Sequence, residues 1–332
     1  MRLTRVIDEL RALRIAKGLT LDDVARVAGW ANPSIPARIE AKDSNPTLRS
    51  LQRYAEAVGA QDFRLALRDP SPTVLTFFNH AGGVGKTSAV RDVGYTLMQM
   101  GFRILLIDAD PQASLTRWLG AFDNVTLDDT LYTAVLGDDD DLRLPAPRHV
   151  YGMDLIPSQM GLAKVDMQLP GVMMGPIRLK EALAHTRAYD FILIDPPPSL
   201  GSLAALASIA ATHLVVPVPT NNKGVEGIPT VMDAVKQFRR ATPRLQLALF
   251  LISQYDARTT VDQQSLTYLQ EKLKALAPVS SPLRLRPGPY KRAALQGQPV
   301  PFFSPSGSAS EEIQTVTTEL LDALGVSVHV EK

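Results

Sequence analysis

Residues 79–88 read NHAGGVGKTS, a glycine-rich stretch that ends in lysine, threonine and serine. It follows a short apolar run, TVLTFFN at residues 73–79, and precedes a segment with helical spacing of apolar residues. A glycine-rich turn between a strand and a helix directs several backbone N–H groups at one anion. The lysine and threonine that follow supply a cation for phosphates and a hydroxyl ligand for Mg²⁺. The sequence predicts a phosphate-binding loop; the alternative is a glycine-rich turn without a ligand.

The chain beyond residue 73 alternates short apolar runs with amphipathic helical stretches. The runs occupy residues 73–79, 103–108, 153–157, 190–195, 213–218 and 247–252. This alternation predicts an α/β fold, with a mostly parallel sheet covered by helices on both faces. The acidic run at residues 138–141 is predicted to be a solvated loop.

The first part of the chain has a different pattern, which predicts a small all-α domain over residues 1–68. Apolar residues recur at helical spacing, and Thr20 with Asp23 matches a capping box. Gly18 and Gly59 are expected to end helices, and Pro46-Thr47 to open one. The proline-rich joint at residues 69–72 then marks the start of a second domain, residues 69–332.

Composition limits the function classes that need to be considered. The 332 residues are 45% hydrophobic and carry a net charge of +1, so any basic surface must be local. The absence of cysteine excludes disulfides, thiolate zinc sites and iron–sulfur clusters. The N-terminus has no signal-like segment, and no run of 18 apolar residues exists, which predicts a cytoplasmic protein.

Three motifs together resemble those of a known family. GGVGKTS (82–88), IDADPQASLT (107–116) and IDPPPSLG (194–201) look like the deviant Walker A, A′ and B motifs of the ParA/MinD ATPases, in that family's order and spacing. The resemblance covers roughly residues 73–325. It implies a P-loop NTPase-like fold that takes ATP or ADP with Mg²⁺.

The resemblance also assigns roles to particular residues. Lys86 would hold the phosphates during catalysis, and Asp110 would orient the attacking water. Thr87, Asp108 and Asp195 would hold Mg²⁺ and its waters. The residues expected to contact the nucleotide are Gly82, Gly83, Val84, Gly85, Lys86, Thr87, Ser88 and Gln254. The alternative for each aspartate is a cap or turn residue at a strand end.

One position departs from the family pattern. The family has a signature lysine immediately before the two glycines, where this chain has Ala81. In the family this lysine reaches across the dimer to the partner's nucleotide. Alanine supplies neither charge nor donor, and removing a cation that stabilises a transition state costs orders of magnitude in rate. We therefore expect slow hydrolysis and intact nucleotide binding.

The N-terminal residues resemble the Cro/repressor-type helix-turn-helix over about 55 residues. Ser34 and Arg38 are the expected DNA contacts in its recognition helix. Pro33 and Pro36 depart from the pattern, and a short helix beginning at Ser34 is one solution. Residues 1–70 contain 12 basic and 9 acidic residues, a modest positive excess. The alternative is a helical bundle used for dimerisation or packing.

A second set of DNA contacts is implied by resemblance to ParA proteins, which bind duplex DNA non-specifically near their C-terminal helices. The expected residues are Arg258, Arg286, Lys291 and Arg292. Solvated surface is the alternative. The final helix has an acidic polar face, which disfavours membrane binding and favours packing against the core.

Two hypotheses follow. The first is a DNA-partitioning ATPase that dimerises with ATP, binds double-stranded DNA on the nucleoid and responds to a ParB-type centromere-binding partner. The alternative is a nucleotide-sensing transcriptional autoregulator with little turnover.

Overall fold

The computed structural model describes residues 3–41, 46, 48–60, 71–137 and 142–326. The chain divides into two compact units, Met1–Pro70 and Ser71–Lys332. The expected boundary between residues 68 and 69 lies outside the described residues, as do Thr47 and the acidic run at 138–141.

The first unit contains four described helices, as the helical spacing predicts. They are α1 (Leu3–Ala16), α2 (Leu21–Val27), α3 (Ser34–Ile39) and α4 (Leu48–Ala57). The capping box is confirmed, because Thr20 Oγ1 accepts the Asp23 N–H at 3.1 Å and the Thr20 N–H is donated to Asp23 Oδ2 at 3.0 Å. Gly18 and Gly59 have positive φ just beyond α1 and α4, which confirms both expected stops.

The short helix α3 begins at Ser34, and both prolines fit it. Asn32 Oδ1 accepts the Ser34 N–H at 3.1 Å, and Pro33 is the residue before the helix. Pro36 occupies the third helical position, where an N–H has no intrahelical partner, so its ring removes no hydrogen bond. Ser34 and Arg38 are both exposed, and four-residue spacing places them on one face of α3.

Glu40 joins three helices of this unit. Its carboxylate accepts from Arg14 Nε at 2.6 Å, from Arg14 Nη2 at 2.9 Å and from the Tyr54 hydroxyl. Arg11 Nε lies 3.4 Å away. Burial opposes ionisation of Glu40, but these partners outweigh it and hold its pKa below the usual range.

Glu40→Gln is expected to destabilise this unit in a pH-dependent manner. The folded-state pKa is lowered, so the carboxylate's contribution is complete above about pH 4.5 and is lost as pH falls through the folded pKa. The substitution should cost about 2 kcal/mol at pH 7, the scale of hydrogen bonds to charged groups. Amide hydrogen exchange in α1–α4 would show a difference from wild type at pH 7 that shrinks near pH 3. An equal loss in Glu56→Gln, at an exposed acid of α4, would contradict this.

The second unit is built on one sheet of seven strands within the described residues. The strands are β1 (Thr73–Phe77), β2 (Ile104–Asp108), β3 (Arg148–Val150), β4 (Met153–Ile156), β5 (Phe191–Asp195), β6 (His213–Pro219) and β7 (Gln246–Ser253). Their order is β3-β4-β2-β5-β1-β6-β7, with β3 antiparallel to β4 and all other pairs parallel. The six predicted strands are confirmed. The edge strand β3 was missed, because its three residues are not buried and form no apolar run.

Helices cover both faces of the sheet. They are α5 (Lys86–Gln99), α6 (Ser114–Trp118), α7 (Leu131–Leu136), α8 (Lys164–Gln168), α9 (Arg178–Ala184), α10 (Ser202–Ala210), α11 (Asn222–Ala241), α12 (Thr260–Leu273), α13 (Pro287–Leu295), α14 (Val300–Phe303) and α15 (Ser308–Ala323). Short 3-10 turns occupy Leu127–Asp129, Met160–Ala163, Leu169–Gly171 and Gly175–Ile177.

Each central strand is buried on both faces. Alternate residues of β2 show this, because Leu106 packs in the apolar cluster that includes α5 and α15 while Leu105 and Ile107 pack in the cluster formed with α7, α9 and α10. A third cluster holds β6 and β7 against α11 and α12. The α/β class is therefore confirmed.

The final helix α15 packs on the core as the sequence indicates. Ile313, Val316 and Leu320 are buried against the sheet. Across the described residues, no helix combines the length and apolar character needed to cross a membrane.

Candidate nucleotide-binding site

The phosphate loop lies between β1 and α5, at the carboxyl edge of the sheet. Gly83 and Gly85 have φ of +74° and +91°, a region that residues with side chains rarely occupy. Asn79 braces the start of the loop, because its Nδ2 donates to Pro217 O at 2.8 Å and its Oδ1 accepts the Ala81 N–H at 3.0 Å. The two glycines allow the backbone turn, and the two hydrogen bonds of Asn79 hold the loop in that conformation.

The end of β7 supports the loop from the other side. Ser253 Oγ donates to Val84 O at 2.8 Å, and Gln254 Nε2 donates to Gly83 O. Gln254 itself has φ of +56°. Its side chain therefore contacts the loop backbone and also lines the adjoining cavity, and its expected contact with the nucleotide stays a prediction.

Lys86 is buried at the first position of α5, with 6% of the residue exposed. Its Nζ donates to Ala81 O at 2.9 Å. Burial lowers the pKa of Lys86, while the charges of Asp195 and Asp110 oppose that shift. The loop thus encloses a cation next to acidic groups.

Asp108 and Asp195 end two adjacent strands and are register partners across β2 and β5. Both are completely buried. Asp108 Oδ2 accepts from the Thr116 N–H at 2.9 Å and from Thr116 Oγ1 at 2.7 Å, and its Oδ1 accepts the Asp110 N–H at 3.2 Å. Within the part of the chain that the structure describes, neither oxygen of Asp195 has a hydrogen-bond partner.

Burial controls the ionisation of this acidic pair. It raises the pKa of Asp108 to about 7, with the hydrogen bonds from Thr116 opposing the rise. It also raises the pKa of Asp195 well above the usual range, and the neighbouring charge of Asp108 adds to this effect. Two buried carboxyls, one of them without a partner, fit a hard divalent cation.

This donor set fits Mg²⁺ better than it fits a cation whose ligands all come from the protein. In the described ranges, no group of three or more His, Cys, Asp or Glu side chains could form a complete metal site. Mg²⁺ takes one or two carboxylates and completes its coordination with phosphate oxygens and water. Thr87 follows Lys86 in α5; its hydroxyl does not meet hydrogen-bond geometry with Asp195, but it lies close enough to oppose the rise in the pKa of that carboxyl. The side chains of Thr87, Asp108 and Asp195 therefore lie close together.

Asp110 lies close enough to Lys86 for their charges to interact. Burial raises the pKa of Asp110, and the charge of Lys86 opposes the rise. Its Oδ1 accepts the Gln112 N–H at 2.9 Å, and its carbonyl accepts from Ser158 Oγ at 2.7 Å. Thr116 donates to Asp108 and Ser158 donates to the Asp110 carbonyl, and neither residue received a role from the sequence. The position of Thr116 at the end of the quoted IDADPQASLT match was the available signal for that residue.

A cavity of about 190 Å³ opens beside the loop, between α5, the end of β7, residues 283–287 and α15. Its lining is mainly apolar, and it includes Ser88, Ser253, Gln254, Leu285, Pro287 and Tyr290. The site thus combines anion-binding N–H groups, a cation and an acidic pair with an adjacent apolar pocket.

Two of the basic residues expected to bind DNA, Arg258 and Arg286, lie on segments that are hydrogen-bonded to each other after β7. The Tyr255 N–H is donated to Leu283 O at 3.0 Å and the Leu285 N–H to Tyr255 O at 2.9 Å, which joins the loop of Arg258 to the segment of Arg286. Arg258 is 85% exposed and pairs with Asp256 at 2.7 Å.

The other three basic residues differ in solvent exposure and in whether an ion pair holds the side chain. Lys291 and Arg292 are exposed on α13. Arg286 is 25% exposed, pairs with Glu312 at 2.6 Å and lines the cavity, so α15 holds its side chain. Arg258, Lys291 and Arg292 are therefore more accessible than Arg286.

A strand–loop–helix that encloses a lysine beside two strand-end aspartates defines a P-loop nucleotide-binding protein of the α/β class. Comparison with known proteins agrees. The family model described as "AAA domain" matches residues 72–247, and the model described as "Helix-turn-helix" matches residues 10–61.

Two relatives and one solved structure make the assignment more specific. The chain is 44% identical over 257 residues to "Probable plasmid-partitioning protein ParA" of Thermus thermophilus, covering 75% of this chain and 78% of that protein. It is 30% identical to "Sporulation initiation inhibitor protein Soj" of Bacillus subtilis, covering 72% and 94%. The crystal structure of cobyrinic acid a,c-diamide synthase from Mycobacterium smegmatis with ADP and magnesium aligns with a TM-score of 0.65 at 26% identity, covering 78% and 100%. The chain belongs to the ParA/MinD family of deviant Walker A ATPases, with a helix-turn-helix module at its N-terminus.

Proposed function

We propose that this protein is a DNA-partitioning ATPase that binds ATP with Mg²⁺ at the phosphate loop and acts as a dimer on duplex DNA. The observation that carries the proposal is the buried Lys86 beside the strand-end pair Asp108 and Asp195. A buried cation next to a partnerless carboxylate suits a ligand that brings both negative phosphates and a divalent cation.

Each residue of the site has a role in this proposal. Lys86 and the loop N–H groups bind the phosphates, while Thr87, Asp108 and Asp195 hold Mg²⁺ directly or through water. Asp110 orients the attacking water. Mg²⁺, when bound, would neutralise charge on the phosphates. The purine base fits the cavity lined by Ser88, Gln254 and Pro287, because that cavity is mainly apolar and adjoins the loop.

Turnover is slow in this proposal because the loop has no cation at position 81. Ala81 contributes its backbone carbonyl to Lys86 and nothing to the developing phosphate charge. A ParB-type partner bound to the centromere would stimulate hydrolysis and release the DNA. The relatives named for plasmid partitioning and Soj support this assignment.

The second candidate function, nucleotide-sensing autoregulation of transcription, is favoured by one observation. Helix α3 exposes Ser34 and Arg38 on one face of a four-helix unit, as a DNA-reading helix requires. Both functions can belong to one chain, since the helix-turn-helix would read an operator while the ATPase unit binds DNA without sequence preference.

The proposed DNA contacts predict a specific salt dependence. ATP-dependent binding to non-operator duplex should weaken steeply with salt, because each phosphate contact releases counterions. The double variant Arg258→Gln/Arg292→Gln should reduce the slope of log K against log salt by about 0.9 for each DNA phosphate that the variant no longer neutralises. Fluorescence anisotropy at several salt concentrations measures this slope.

Two control variants make this measurement specific. Arg240→Gln removes an exposed arginine near the end of α11 and should keep the wild-type slope. Arg38→Ala should also keep that slope, while any site-specific footprint should disappear. A wild-type slope in the double variant would place the DNA contacts elsewhere.

A further inference from the structure

The position next to Ala81 packs against another helix. A Cβ built on Gly227 would lie 3.4 Å from His80 Cε1, so the first turns of α11 contact the phosphate loop. Helix α11 follows β6, and β6 is the neighbour of β1 in the sheet. The N-terminus of α11 therefore lies at the same carboxyl edge as the loop.

Lys223 lies on the face of α11 that contacts the loop. It is four residues before Gly227, and residues with this spacing share one face of a helix. Asn222, Val225 and Glu226 belong to another face, because they line a cavity against Gln264, Ser265 and Tyr268 of α12. Lys223 is thus outside the set of residues that line the cavity against α12.

The ammonium group of Lys223 is available for a ligand. The residue is exposed, and within the described residues no ion pair or hydrogen bond involves its Nζ. Asn221 caps the helix by accepting the Gly224 N–H at 3.2 Å, which fixes the backbone from which Lys223 extends. Cα–Cβ bonds in a helix tilt toward its N-terminus, so this side chain extends toward and beyond the carboxyl edge.

We propose that Lys223 supplies the cation that Ala81 lacks, acting on the nucleotide bound by the partner copy in the ATP dimer. The inference rests on the proposed function, because it requires two copies to meet at the carboxyl edges of their sheets. Lys86 already binds the phosphates of the nucleotide in its own subunit. A lysine at the edge is placed to act between subunits.

The chemistry required of Lys223 is electrostatic. In hydrolysis, a water oxygen bonds to the γ-phosphorus, the bond from that phosphorus to the β–γ bridging oxygen breaks, and the water proton passes to phosphate and solvent. Negative charge grows on the oxygen that leaves with ADP and on the γ-oxygens. The Lys223 ammonium stabilises this charge without being consumed. A flexible, exposed lysine is less well positioned than a loop residue, so turnover stays slow but does not vanish.

Lys164 is the competing cation at this edge. It is the exposed first residue of α8, which follows β4 in the chain. Among the residues that the structure describes, no contact places it beside those that flank Ala81, whereas the contact between His80 and Gly227 places α11 there. Lys164→Ala is therefore the matched control.

The test is ATP turnover in full-length protein with Mg²⁺ and duplex DNA. Lys223→Ala should lower turnover about tenfold or more, the scale on which single charge-stabilising groups act. Lys223→Arg should recover part of it. ADP affinity should change less than about twofold in both Lys223 variants, because the nucleotide site within each monomer is intact. The ADP-binding measurement also verifies that the variants are folded. Lys164→Ala should behave like wild type.

A second measurement separates this inference from the proposed function. Ala81→Lys added to Lys223→Ala should restore turnover to the level of Ala81→Lys alone, because one cation then replaces the other. The inference is overturned if Lys223→Ala hydrolyses ATP like wild type, if Lys164→Ala is the variant with reduced turnover, or if wild type has no measurable turnover despite binding ATP. Absence of ATP binding in wild type would instead overturn the proposed function.

Discussion

Replacing Lys86 with alanine or glutamine is expected to abolish ATP binding. Lys86 is buried at the first turn of α5, and its Nζ is held by Ala81 O beside Asp110 and Asp195. Its loss would leave the bound phosphates facing the acidic pair without a compensating cation. Truncating one partner of a buried charge pair costs about 2–5 kcal/mol, which corresponds to roughly 30- to several-thousand-fold in affinity.

Isothermal calorimetry with ATP and Mg²⁺ measures this effect. Lys236→Ala is the control, because this lysine is exposed on α11 and pairs only with Asp233 among the residues that the structure describes. Circular dichroism verifies that the Lys86 variants remain folded. Wild-type affinity in a folded Lys86→Gln protein would show that the nucleotide binds elsewhere.

The second large effect is expected from Ala81→Lys. The substituted lysine would occupy the position that the family uses to reach the partner's nucleotide, on a loop held by Asn79 and Gln254. Turnover should rise by one or more orders of magnitude, since a well-positioned cation acts on the transition state. Nucleotide affinity of the monomer should stay near normal, because the loop N–H groups and Lys86 are unchanged.

Light scattering with ATP should also show stronger dimerisation of Ala81→Lys. Two results would contradict this prediction. Equal turnover in wild type and Ala81→Lys would mean that another group already supplies the full cation. No gain in either turnover or dimerisation would favour the nucleotide-sensing regulator over the partitioning ATPase.

Local patterns in the sequence were sufficient for much of the fold. Six strands were predicted because each lies in an apolar run of about five to seven residues bounded by turns. The capping box at Thr20 and the start of α3 at Ser34 were equally local, since the residues involved are within four positions of each other. Strand β3 escaped because its residues are half-buried or exposed and its pairing with β4 leaves no apolar pattern.

The sequence was less informative about the hydrogen-bond and ion-pair partners of each site residue. Arg258 and Arg286 have the same chemistry in the chain, yet only Arg286 is held by Glu312, a residue 26 positions away. Gln254 was expected to contact the nucleotide, and no pattern in the sequence indicated that its side chain also donates to Gly83 O. Thr116 and Ser158 had no assigned role, although they hold Asp108 and Asp110.

The sequence by itself determined the phosphate loop, the alternation of strands and helices, and the departure at Ala81, because each depends on residues that are neighbours along the chain. Only the tertiary structure determined which groups that are distant in the sequence are buried next to each other. It brings Asp108 and Asp195 together as a fully buried pair, 87 positions apart, and this burial raises their pKa values. It also packs Gly227 against His80, which places Lys223 near a loop more than 130 residues away. Such contacts arise from strand order and helix packing, which the local pattern of residues does not specify.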